Sequence, residues 1–144
     1  ITHPAPVCLA SAVAVAEGVA AAVRGEDPFT AARAATWEGR TSRALDEVAS
    51  GWRPGEGEWN GHERGHPLKT VQAAFWAVRQ NAPLEDVLLE LTHMGGDADT
   101  HCAIAGALLG GTDAYPARFE RIFGRPPKAV PSGAPGPSPN RPRI

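Results

Sequence analysis

From Val7 onward, apolar or small residues return at Ala10, Ser11, Ala14, Val15, Gly18, Val19, Ala22 and Val23. Spacings of three and four place them on one face of a helix. Pro4 and Pro6 confine the start of that helix to its first turn. The Ala, Ser and Gly on the face would let a neighbouring helix come close. Asp27-Pro28 reads as an N-cap followed by proline at the first helical position, opening a helix to about Thr36. A shorter helix is expected from Thr41 to about Ala49. Ser50 to Pro67 fits no period, is rich in glycine and holds Trp52 and Trp59. A loop of that length is compatible with a functional segment and with a tolerated surface insertion.

The helical period resumes at Leu68, Val71, Phe75 and Val78. Pro83 opens a further helix with Leu84, Val87, Leu88 and Leu91 inside, and Gly95-Gly96 breaks it. Another helix is expected from Asp97 to about Leu109, with Cys102, Ala105, Leu108 and Leu109 toward the core. Gly110-Gly111 ends it, and Pro116 starts a last short helix through Phe119 and Ile122. No strand alternation and no internal repeat is found. The expected fold class is all-α, a compact helical bundle packed ridge into groove.

Composition adds a boundary. The last twenty residues, Arg125 to Ile144, hold seven of the fourteen prolines and four basic but no acidic side chains. Such a segment neither continues a helix nor fills a core, so residues 125–144 are expected to be a disordered Pro-rich tail behind a domain spanning 1–124. The formal charge of −2 argues against nucleic acid or an anionic membrane as a main partner. No stretch is expected to supply the ~20 apolar residues of a membrane span, and none has the pattern of a secretory signal. Cys8 and Cys102 each lie in an apolar helical pattern, which favours buried free thiols and a reducing, cytoplasmic setting. The chain opens on Ile1, as expected of a processed product or a piece of a longer polypeptide.

The chemistry concentrates in Gly95-Gly96-Asp97-Ala98-Asp99-Thr100. Two carboxylates and a hydroxyl gather within four residues at a helix N-terminus. They are hard oxygen ligands of the kind magnesium, manganese or calcium takes. The glycines allow a sharp turn and a close ligand. Spacing alone leaves a second reading open: Asp97 caps the helix and Asp99 favours the positive end of its dipole. Because that end repels cations, two aspartates alone would make a thin metal site. The other constellations are weaker. His62 and His66 are four apart but sit among glycines and proline. His93, His101 and Cys102 form no recognisable zinc pattern. No nucleophile elbow accompanies a Ser-His-Asp set. Trp37, Trp52, Trp59 and Trp76 read as core or loop anchors.

The Gly-Gly-Asp-x-Asp-Thr run, followed by Ala103-Ile104-Ala105-Gly106-Ala107-Leu108-Leu109-Gly110, resembles the C-terminal signature of the ADP-ribosylglycohydrolases. Thr2-His3-Pro4, Gly65-His66-Pro67-Leu68-Lys69-Thr70 with Ala73-Ala74-Phe75-Trp76-Ala77, and Ala114-Tyr115-Pro116-Ala117-Arg118 resemble further segments of that family, so the likeness extends over about residues 1–123. It implies an all-helical, two-magnesium hydrolase (manganese is an alternative) that cleaves the glycosidic bond between ADP-ribose and a modified side chain or related acceptor. By motif position, Asp97, Asp99 and Thr100 would be metal ligands. His3, Gly95 and Gly96 would lie against the ADP-ribose. No catalytic residue is assigned.

The resemblance also implies a deficit. Family members draw a second acidic cluster and a glutamate from an N-terminal half, and no counterpart occurs in these 144 residues. Glu56, Glu58 and Glu63 do not match it. The expected partners are ADP-ribose or an ADP-ribosylated protein, together with a complementary N-terminal half or a second copy of the chain. The alternative expectation is a catalytically inactive module that binds ADP-ribose or a helical partner.

Overall fold

The computed structural model describes residues 3–54 and 65–112. The expected tail of residues 125–144, the last short helix and the Glu56–Glu63 segment lie outside these. Among the described residues there are six helices and no strand: α1 (Pro6–Arg24), α2 (Pro28–Ala35), α3 (Gly39–Ala49), α4 (Pro67–Arg79), α5 (Leu84–Met94) and α6 (Ala98–Gly110).

Local chemistry explains most of the boundaries. Asp27 caps α2, accepting the Phe29 N–H at 3.2 Å and the Thr30 N–H at 3.1 Å, with the Thr30 hydroxyl on the same carboxylate. Pro28, at the first helical position, gives up no needed donor. Glu38 caps α3 through the Thr41 N–H at 2.8 Å and its hydroxyl at 3.0 Å. His66 caps α4, its Nδ1 accepting the Leu68 N–H at 3.2 Å. α1 ends at Gly25, left-handed at φ 74°, and the N–H groups of Gly25 and Glu26 close on the carbonyls of Ala22 and Ala21.

α4 is the hub. It packs against all five other helices, and every residue from Thr70 to Ala77 is buried. The 3.6-residue pattern suggested only one inner face, Leu68, Val71, Phe75 and Val78. In the fold, Leu68 and Val78 are half-buried, whereas Gln72, Ala73, Ala74, Trp76 and Ala77 are enclosed. A helix surrounded on all sides needs no polar face. The one long polar side chain of the buried stretch, Gln72, is satisfied by donating to Glu47 of α3 at 2.6 Å.

α1 lies across α2, α4 and α6. Its small residues produce the close approach: a Cβ added at Gly18 would sit 2.9 Å from Leu108 Cδ2 and 3.0 Å from Phe75 Cζ. Phe75 in turn meets Phe29 edge to face at 6.0 Å, and the Arg79 guanidinium covers the Phe29 ring at 5.0 Å. Val23, expected inside, is 44% exposed. By length and composition α1 is apolar enough to cross a membrane, with a mean hydropathy of 1.9; the expectation that no stretch qualifies underrated its alanines. Here its buried stripe serves as a core element.

Candidate functional site

The α5–α6 junction is built by two glycines in backbone conformations that other residues rarely adopt. Gly95 has φ 75° and ψ −146°, and Gly96 has φ 71°. That pair reverses the chain and delivers Asp97 to the N-cap position of α6. Unlike Asp27 and Glu38, Asp97 caps nothing: its side chain accepts no backbone N–H. Its Oδ1 instead accepts the Thr100 hydroxyl at 3.0 Å. Its Oδ2 faces the start of α4, 4.0 Å from where a Cβ on Gly65 would lie. The capping reading left open by spacing is thus not what Asp97 does.

Asp97 and Thr100 sit in the wall of a cavity of about 520 Å³ enclosed by α1, α6 and the start of α4. The rest of the wall is largely apolar, with Val15 from α1, Val71 from α4 and Ile104 from α6. Ser11 of α1 lines it too. Ser11 is only 5% exposed, and its hydroxyl makes no hydrogen bond. A buried hydroxyl without a partner is costly, and this one borders an open cavity. The sequence offered no signal for it, because serine at a small-residue position of α1 reads as a packing choice.

The other expected site residues are placed less centrally. Asp99 is exposed and does not line the cavity. His3 is exposed just ahead of α1, and Gly95 and Gly96 are half-buried in the turn; none of the three forms part of the cavity wall. His101, which belongs to no recognisable zinc pattern in the sequence, is fully buried one turn beyond Asp97. Its backbone N–H donates to the Asp97 carbonyl at 3.0 Å. Burial pushes its imidazole pKa below the usual value, against the opposing pull of Asp97 and Asp99. The ring is therefore neutral at neutral pH. Cys8 and Cys102 are free and half-buried rather than enclosed. Cys102 Sγ rests 3.5 Å from the Leu88 carbonyl.

A family model described as ADP-ribosylglycohydrolase matches residues 1–119. The chain belongs to the ADP-ribosylglycohydrolase family. No curated protein and no solved structure matches it. The matched stretch includes the Gly-Gly-Asp-x-Asp-Thr turn, and family membership suggests glycohydrolase chemistry. The donor set of this ADP-ribosylglycohydrolase chain fits a magnesium-class ion in kind, since Asp97, Asp99 and Thr100 offer only oxygen. In number it does not complete a site. Among the described residues no three His, Cys, Asp or Glu side chains are grouped around one point, and Asp99 stands apart from the cavity that Asp97 and Thr100 share.

Proposed function

We propose that this chain supplies one side of a magnesium-dependent site that hydrolyses the glycosidic bond linking ADP-ribose to a modified side chain or related acceptor. The observation that supports the reading is the state of Asp97. Its carboxylate takes no part in capping, lies beside the Thr100 hydroxyl and borders an open cavity. Asp97, Thr100 and Asp99 are the groups that would hold the ion. Two magnesium ions belong to the complete site, with manganese a substitute. When bound, they would orient the ribose hydroxyls and stabilise charge developing at the reacting carbon or its water.

The remaining steps fall to the chain itself. Gly95 and Gly96 keep the approach to Asp97 narrow in side-chain bulk. Val15, Val71 and Ile104 keep water away from one flank of the cavity. ADP-ribose is proposed to lie across the cavity mouth, with His3 at its edge.

Titration of magnesium and ADP-ribose while following thermal unfolding tests this. The unfolding midpoint should rise with both present, and Asp97→Ala or Asp99→Ala should abolish the rise. A midpoint indifferent to both additions would leave only a helical interaction module. Two carboxylates carry −2 against the +4 of two ions, so acidic groups beyond Asp97 and Asp99 are proposed to complete the site. The purified chain alone should accordingly release little or no ADP-ribose from a modified arginine or serine. Ready release would remove the need for such groups.

A further inference from the structure

A second cavity, of about 500 Å³, lies between α3 and α4. The first turns of α4 divide it from the groove beside Asp97. Pro67, Thr70 and Val71 face the groove, whereas Leu68, Lys69 and Gln72 face the second cavity. At about 100° per residue these sets occupy opposite flanks of the helix. Gly65 and His66, next to each other in the chain, are divided between the two cavities in the same way.

The wall opposite α4 is α3, which contributes Arg40 and Arg43. Three residues apart on a helix, they share a face. Both are exposed, and the ion pairs recorded among the described residues, Arg24–Glu26 and Arg33–Asp46, include neither; the charge of Arg40 also acts on Glu38. The carboxylate in the cavity wall, Glu47, is engaged by Gln72. His66, Leu68 and Lys69 bring the start of α4 to the same wall.

One contact in the wall brings two nitrogens together. Arg40 Nη2 and His66 Nε2 stand 3.4 Å apart. His66 accepts the Leu68 N–H at Nδ1, and a ring nitrogen that accepts carries no proton. The imidazole proton, assigned from this bond, is therefore on Nε2. A guanidinium only donates. Two N–H donors thus stand side by side, and among the described residues no acceptor is recorded between them. An anionic oxygen entering there would satisfy both.

We propose that the cavity between α3 and α4 binds a phosphate-type oxyanion, held between the Arg40 guanidinium and the His66 Nε2–H with Arg43 beside it. The planar fork of arginine matches such an anion with paired N–H···O bonds. Ala44, Leu68 and Trp52 complete the wall, which leaves an apolar side for whatever carries the phosphoryl group. The anion is either free phosphate or the phosphoryl group of a nucleotide. The site uses neither Asp97 nor Asp99 and stands independently of the metal-dependent reading.

The test titrates the full chain with inorganic phosphate and, separately, with adenosine monophosphate, against chloride at equal ionic strength. Two signals are read: the thermal midpoint, and the His66 imidazole nitrogens in long-range proton–nitrogen spectra. At least one probe should raise the midpoint and move the His66 Nε2 signal. Arg40→Gln should weaken that probe's apparent affinity about tenfold, the worth of one charge-assisted hydrogen-bonded contact. The doubly substituted R40Q/R43Q chain should lose the response while keeping its helical circular dichroism, since both positions are exposed. Asp97→Ala should leave the response intact. Equal affinity for the two probes identifies free phosphate, and tighter binding of the monophosphate identifies a nucleotide. If both probes leave the chain where chloride leaves it, or if the response survives in R40Q/R43Q, the proposal fails.

Discussion

A carboxylate at the start of a helix can satisfy backbone N–H groups or remain available, and this chain contains both cases. Asp27 accepts two backbone N–H groups and a hydroxyl, and its pKa is lowered chiefly by the Thr30 hydroxyl. A carboxylate whose pKa is lowered by folding stabilises the fold above its unfolded pKa. That contribution disappears as pH falls through the lower folded value. Asp27→Ala should therefore cost about 1 kcal/mol at neutral pH. The difference from wild type should shrink in acid denaturation series taken below the model-peptide value of 3.8. An undiminished difference at the acid end would show that Asp27 acts by something other than its charge. Asp97 occupies the equivalent helix position but bonds only to Thr100. Its sequence neighbourhood left the capping and ligand readings open, because both need an acid followed by a helix. Backbone geometry separates them: ψ is 51° at Asp97 against 111° at Asp27.

At the scale of elements, the signals that start and stop helices are local and could be read in the chain. Asp27-Pro28, Pro83 and the glycine pairs mark ends that the structure places within a residue or two of expectation. Which face of a helix is buried depends on its neighbours. Period alone put Val23 inside and gave α4 a single inner face. Yet α1 leaves Val23 at its exposed end, and α4 is enclosed all round. The α1 crossing is the tightest part of the core. Gly18→Ala would press a methyl group onto Leu108 and Phe75, both fully buried and packed into the core. Overpacking of this kind costs roughly 1–3 kcal/mol, while alanine's better helix propensity returns at most about 1. The denaturation midpoint of Gly18→Ala should fall; a rise would mean that α1 lies further from α4 and α6 than described here.

Over the whole molecule, the core is assembled from many small side chains. Alanine accounts for ten of the twenty-one buried hydrophobic residues described. Small residues bring helices close but bury little area each. The groove lined by Val15, Val71 and Ile104, with Ala12 and Ala16 exposed along its rim, leaves apolar surface uncovered. Apolar surface of that kind tends to be covered by association. Light scattering should give a mass above that of one chain, rising with concentration, unless a complementary chain is added. A constant single-chain mass at high concentration would show that the groove is stable in water.

The chain alone determined its helical class, most helix boundaries and the family-bearing turn from Gly95 to Thr100, because caps, prolines, glycines and motifs act between neighbours in sequence. Tertiary structure decided the partners of those local features. It enclosed α4, buried His101 and placed the unbonded Ser11 hydroxyl on the same cavity as Asp97. It also set Arg40 against His66, with Arg43 and Lys69 alongside. Each of these depends on residues far apart along the chain meeting in space, and a periodic pattern holds no record of such distances.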